Sequence, residues 1–148
     1  ISENAKRISE FYEALAEDKN VSLTFDCVEP CQIIADTAQI DRLLANLIDN
    51  AIKYTSSGGK VFISTSKHGN QVELRVSDTG PGIAEENHET VFKPFFRNRE
   101  RVAANGHGLG LALVKAIADR HGAVIKVDNA GRESGASILF SIEAALKR

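Results

Sequence analysis

The period of the apolar positions changes several times along the chain, and each change marks an element. Residues 3 to 19 carry Ile8, Phe11, Tyr12 and Leu15 at helical spacing, which predicts a helix burying that face. Val21, Leu23 and Phe25 then alternate with polar residues as a strand does, and Gln32 to Ala35 predicts a second short strand. Asp36, followed three residues later by Gln39, forms a capping-box pattern and opens a helix over Thr37 to Tyr54. Val61, Ile63 and Thr65, then Val72, Leu74 and Val76, alternate on either side of Gly69-Asn70, a pair suited to a two-residue hairpin turn. Residues 93 to 107 carry charges, Pro94 and little periodicity, which predicts a mobile loop. Leu109 to Arg120 returns to helical spacing and is closed by Gly122, and Ala123 to Val127 and Ser137 to Ile142 supply the last two strands. The expected product is one α+β unit, a two-layer α/β sandwich with a mixed sheet of about five strands and about three helices on one face.

Composition narrows the function classes. With 148 residues the chain can bury roughly 70% of its unfolded surface, so neither disulfide nor metal is needed to fold it. Eighteen Lys and Arg against twenty Asp and Glu exclude the bulk-basic profile of a domain held on nucleic acid by phosphate contacts, so phosphate binding has to be local. No apolar run approaches the ~20 residues that span a bilayer, and no membrane contact is expected of these residues. Cys27 and Cys31 match no zinc pattern and read as two small, partly buried thiols in a reducing compartment. His68, His88, His107 and His121 are scattered and form no metal cluster. The chain opens on Ile1 and contains no Met, so it is expected to be a piece of a longer protein.

Three segments carry candidate chemistry. In the helix at 37 to 54, Asn46, Asn50 and Lys53 fall at i, i+4 and i+7, opposite the apolar Leu43, Leu44, Leu47, Ile48 and Ala51. A solvated polar face accounts for Lys53 but poorly for two Asn, which cost a few tenths of a kcal/mol each relative to Ala within a helix. Amide oxygens are hard neutral ligands suited to Mg²⁺, so the sharper reading is a metal-nucleotide surface. Asp78-Thr79-Gly80-Pro81-Gly82-Ile83 follows a strand, a stiff turn over which a flat ligand or another backbone can lie closely. Capping that turn is the plainer role of Asp78. Gly106-His107-Gly108-Leu109-Gly110-Leu111 leads into the last helix, where free amides suit phosphate. It is neither the dinucleotide fingerprint nor a Walker sequence.

Taken in order, Asn46 to Thr55, the DTGPGI run at 78 to 83, Phe92-Lys-Pro-Phe95-Phe96-Arg97 and the GHGLGL run at 106 to 111 resemble the N box, first glycine box, F box and second glycine box of two-component sensor histidine kinases. The resemblance is to their catalytic and ATP-binding domain and covers about residues 21 to 143. It implies the Bergerat ATP-binding fold, shared with gyrase and mismatch-repair ATPases, with ATP and Mg²⁺ as cofactors. By that resemblance Asn50 is the Mg²⁺ ligand, assisted by Asn46. Lys53 contacts phosphate and Tyr54 flanks the ribose or base. Asp78 accepts the adenine amine, and Gly80, Gly82 and Ile83 line the base pocket. Arg97 reaches the γ-phosphate, and Gly106, His107, Gly108, Leu109, Gly110 and Leu111 form the phosphate-side hinge of an ATP lid spanning about Lys93 to Asn105. Phe92, Phe95 and Phe96 anchor that lid in the core.

The pattern departs from the family in three places. The phosphoacceptor box is absent, so residues 1–19 are expected to continue from a missing dimerisation and phosphoacceptor hairpin, and 20–148 to be the ATP-binding catalytic domain. Near Gly135-Ala136-Ser137, where the family often has a third glycine box with Thr, this chain offers Ser137, whose hydroxyl is a candidate for a water-mediated contact to the base but is not counted among the site residues. His107 stands at the free position of the second glycine box, as a phosphate contact or an exposed side chain. The implied partners are the parent's helical acceptor domain and, downstream, a response regulator receiver domain, with a monomeric fragment and a homodimeric parent. The implied location is the cytoplasm, the parent being anchored in the inner membrane. Two alternatives stand beside phosphotransfer: an ATP-hydrolysing member of the fold, and a nucleotide-sensing module without transfer.

Overall fold

A computed structural model describes residues 1–94, 110–128 and 135–145 of the chain. Among them are three α-helices, α1 (Ser2–Asp18), α2 (Thr37–Tyr54) and α3 (Gly110–Arg120). Five strands accompany them: β1 (Ser22–Cys27), β2 (Lys60–His68), β3 (Gln71–Asp78), β4 (Val124–Val127) and β5 (Ser137–Glu143). Short 3-10 turns occupy Glu85–Asn87 and Thr90–Phe92. The sheet order is β1-β2-β3-β5-β4; β1 and β2 are parallel, as the crossover through α2 requires, and the other pairs are antiparallel.

Alternation decides the layers. Val61, Ile63 and Thr65 of β2, Val72, Leu74, Val76 and Asp78 of β3, and Ile138, Phe140 and Ile142 of β5 share the buried face, against which the helices pack. The register sets Val61 opposite Asp78 and Ile63 opposite Val76, so a one-residue slip would expose the whole set. Gly69 takes φ 61° at the first position of the two-residue hairpin turn, a conformation that glycine adopts without penalty. Leu43, Leu44, Leu47, Ile48 and Ile52 of α2 are essentially fully buried, each contributing roughly 1.5–3 kcal/mol.

Both ends of α2 are fixed by side chains. Asp36 Oδ1 accepts from the Gln39 amide at 3.1 Å, the expected cap. The reciprocal half of the capping box comes from elsewhere: the Asp36 N–H donates to His121 Nε2 at 3.1 Å, while His121 Nδ1 meets Ile117 O at 2.8 Å. One imidazole thus ties the start of α2 to the end of α3. Gly122, with φ 68°, ends α3, and the Ala123 amide returns to Ala118 O at 2.9 Å. At the far end of α2, Lys19 Nζ donates to Ile52 O at 2.8 Å and Lys53 O at 2.6 Å, and Thr55 Oγ1 donates to Ala51 O at 2.7 Å.

Lys19→Met should lower stability by about 1 kcal/mol, read by denaturant titration, because two carbonyls lose their shared hydrogen-bond donor. Desolvation pulls Lys19 below its usual 10.5. Between that lowered value and 10.5 the unfolded chain binds more protons at this site than the folded one, so its contribution to stability rises with pH there. The stability difference between wild type and Lys19→Met should therefore grow as pH enters the lysine range; a difference that shrinks would be contrary.

Two sequence expectations need correction. Residues 32–35 form no strand: Cys31 and Ile33 turn inward and Ile34 is exposed, but the segment meets its neighbours through isolated bonds such as Ala145 N to Gln32 O at 3.0 Å, without a ladder. The buried face of α1 is also not the large apolar one. Ser2, Ala5, Ser9 and Ala16 are buried, Ile8 and Tyr12 are half-buried, and Phe11 and Leu15 are exposed, at 78% and 44%. Close approach favours small side chains, and the two serines carry their polarity inside, Ser9 Oγ bonding Ala5 O at 2.6 Å and Ser2 Oγ meeting Thr65 Oγ1 at 3.0 Å. Phe11 instead sets its ring edge-on to Tyr12, with centroids 5.4 Å apart.

Candidate nucleotide site

The polar stripe of α2 and the turn after β3 are brought together at one edge of the helical layer. Gly80 is packed so tightly under the C-terminal end of α2 that a Cβ there would lie 2.5 Å from Tyr54 O. No side chain fits between them, and this close approach explains a glycine two residues after Asp78.

Asp78 ends β3 on the helix side of the sheet and is 3% exposed. Its Oδ1 accepts from Gly80 N at 2.9 Å and Ala136 N at 3.2 Å, and its own amide donates to Ala136 O at 2.8 Å. Two backbone donors on one oxygen fix the carboxylate plane and compensate its burial. Gly135 makes this possible: its φ is +84°, and a Cβ there would overlap the Asp78 carbonyl oxygen. Ile83 is buried beside the same turn, and His88 Nε2 meets Ile83 O at 3.1 Å, bracing it from the first 3-10 turn.

Along α2, Asn46, Asn50 and Lys53 are half-buried on one side. Asn46 Nδ2 donates to Arg42 O at 2.9 Å within the helix, and Asn46 Oδ1 lies 3.6 Å from where a Cβ of Gly110 would stand. The amide oxygen therefore faces the beginning of α3. Lys53 is paired with Asp49 at 2.9 Å, a half-exposed i,i+4 ion pair of small worth. Gly110 and Leu111 begin α3, half-buried. Phe92 is buried in the core. Arg97, Gly106, His107, Gly108 and Leu109, with Phe95, Phe96 and nearly all of the expected lid, lie outside the described residues.

Ser137 does not stand where the sequence reading put it. It pairs with Ser77 across β3 and β5, and because side chains alternate it lies on the sheet face opposite Asp78. Fully buried, it accepts from Arg75 at 2.9 Å and meets Ser77 Oγ at 3.0 Å. Ala136 is the residue beside Asp78, and it offers backbone only. Sequence reasoning missed Lys19 and His121, which act on helix ends from distant positions and carry no local signal.

A buried, doubly anchored carboxylate beside a glycine turn thus lies next to a helix bearing two amides, within an α/β sandwich. Residues 35–146 match the family described as histidine kinase-, DNA gyrase B- and HSP90-like ATPases, and the chain belongs to that family of ATP-binding domains. The chain is 33% identical over 144 residues to the adaptive-response sensory kinase SasA of Synechocystis sp., covering 96% of this chain and 37% of that protein. It is 38% identical over 119 residues to the sensor-like histidine kinase SenX3 of Mycolicibacterium smegmatis, covering 78% and 29% respectively. Among solved structures it resembles the mycobacterial sensor histidine kinase MprB, with a TM-score of 0.82 at 29% identity over 98% of this chain and 95% of that one. It also resembles the catalytic domain of histidine kinase ThkA, with a TM-score of 0.83 at 31% identity over 95% and 92%. The chain spans about a third of the length of the sensor kinases it matches in sequence.

Proposed function

We propose that this chain is the phosphodonor module of a sensor histidine kinase, binding Mg²⁺-ATP and presenting the γ-phosphoryl to a histidine on a separate helical dimerisation domain. The observation that carries the reading is the juxtaposition of the Asp78 turn, the amide stripe of α2 and the start of α3 in a chain of this family. Asp78 accepts from the adenine amine, with Gly80, Gly82 and Ile83 beneath the base and Tyr54 at its flank. Asn50, assisted by Asn46, suits Mg²⁺, because neutral amide oxygens fit a hard cation that keeps water and phosphate ligands. When bound, the ion neutralises phosphate charge. Lys53 exchanges Asp49 for phosphate, Arg97 engages the γ-phosphate, and Gly106 to Leu111 hinge the lid. Transfer then rests on positioning and electrostatics, with the nucleophile supplied by the partner domain.

Hydrolysis is the weaker reading. Relatives that hydrolyse ATP place a Glu one turn before the metal-binding Asn as a base for water, and here the position holds Asn46, whose amide takes up no proton at neutral pH. One similar solved structure, at a TM-score of 0.82 and 30% identity, is that of histidine kinase ThkA in complex with the response regulator protein TrrA. A receiver domain downstream of this chain's parent, a homodimeric parent and a cytoplasmic position for this domain belong to the same proposal. Among the described residues no helix is long and apolar enough to cross a membrane.

The isolated chain should bind Mg²⁺-ATP without releasing phosphate or labelling itself. Calorimetry and incubation with γ-labelled ATP test this, with Asn50→Ala expected to weaken binding roughly tenfold or more. Rapid phosphate release lost in Asn50→Ala would favour the ATPase reading instead.

A further inference from the structure

We propose that Cys27 and Cys31 form a thiol pair that a peroxide closes into an intrachain disulfide. Cys27 ends β1 and is half-buried; Cys31, four residues on, is 3% exposed. Both sulfurs donate to one acceptor, Glu29 O, Cys27 at 3.0 Å and Cys31 at 3.3 Å. The backbone from 27 to 31 therefore curls around a single oxygen with both thiols turned toward it. Their separation cannot exceed the sum of those two distances, which places both sulfurs on the same side of the turn. Metal binding is the competing use of paired thiols, but among the described residues no three His, Cys, Asp or Glu side chains converge to hold an ion.

The unequal exposure sets the order of events. Cys27 sulfur attacks a peroxide oxygen: an S–O bond forms, the O–O bond breaks, and the leaving hydroxide takes the thiol proton and departs as water. Cys31 sulfur then attacks the Cys27 sulfur of the resulting sulfenic acid. The S–S bond forms, the S–O bond breaks, and a second water leaves with the Cys31 proton. Two thiols are oxidised by two electrons and one peroxide is reduced to two waters. A buried resolving thiol beside an accessible one favours this closure over further oxidation of Cys27.

The pair sits at a structural junction. The Cys31 amide donates to Ser2 Oγ at 2.8 Å, Cys31 O accepts from the Ser2 amide at 3.5 Å, and Ser2 Oγ meets Thr65 Oγ1 of β2 at 3.0 Å. Closing the disulfide removes both S–H donors from Glu29 O and constrains the loop that seats the first turn of α1. Oxidation is thereby coupled to the entry of α1.

The test is stoichiometric hydrogen peroxide on the whole chain, followed by alkylation, intact mass and hydrogen exchange. The expected product is a monomer lighter by two hydrogens, with Cys27 and Cys31 protected from alkylation together and both restored by a thiol reductant. Cys31→Ser should instead accumulate sulfenic acid on Cys27, trapped by dimedone. The Ser2 amide should exchange at a different rate in the oxidised form. Thiols that remain alkylatable, Cys27 carried to sulfinic acid with Cys31 intact, or a disulfide between two chains would overturn the site. Unchanged Ser2 exchange in the closed form would overturn the coupling to α1.

Discussion

Asp78→Asn should reduce ATP affinity roughly a hundredfold or more while leaving the chain folded. The asparagine keeps one oxygen to accept from the Gly80 and Ala136 amides, the two bonds that hold Asp78 Oδ1 at 2.9 and 3.2 Å. Its other terminus becomes a donor and meets the adenine amine donor to donor, leaving a buried polar group unsatisfied. The wild-type carboxylate faces the guanine carbonyl acceptor to acceptor, so rejection of GTP should reach up to roughly 10⁴-fold. Titration calorimetry with ATP and GTP, with circular dichroism as the control on folding, reads both effects. Equal affinities for the two nucleotides would remove Asp78 from the base site.

Gly135→Ala should be the most destabilising single methyl addition among the described glycines. It forces an L side chain into φ +84° and sets its Cβ against the Asp78 carbonyl oxygen and the Thr79 Cα, both backbone atoms that cannot swing aside. A loss of about 3 kcal/mol or more follows, roughly 10 °C in Tm, together with weaker ATP binding as Asp78 is displaced. Gly58→Ala is the control. Gly58 has φ +91° with nothing within 4 Å of the added methyl, so it carries backbone strain alone and should lose only about 1 kcal/mol. Equal losses by scanning calorimetry would show that the contact with Asp78 is not the cause.

The residues that were legible in the sequence are those whose role is local. The α2 boundaries follow from Asp36 and a sustained 3.6 period, and the β2–β3 hairpin from strict alternation about Gly69-Asn70. The placement of the candidate site residues was legible for the same reason, since Asn46, Asn50 and Lys53 share one face by arithmetic and Asp78 ends its strand. What escaped depends on distance. Lys19 serves carbonyls at 52 and 53, and His121 completes a cap 85 residues away. Burial on α1 escaped because hydrophobicity favoured Phe11 and Leu15, whereas Ser2, Ala5, Ser9 and Ala16 are the residues that turn inward. Ser137 was misplaced because strand register decides which sheet face a residue occupies, and a one-residue difference puts Ala136 rather than Ser137 beside Asp78.

We expect this chain to donate a phosphoryl group and not to accept one. The direct measurement is incubation with Mg²⁺ and γ-labelled ATP, with and without the parent's helical acceptor domain supplied in trans, following released phosphate and label on each chain. Stable label is expected on a histidine of the added domain, lost with Asn50→Ala, and none on the donor. Label on His68, His88, His107 or His121 of this chain, or steady phosphate release with no transfer, would contradict it.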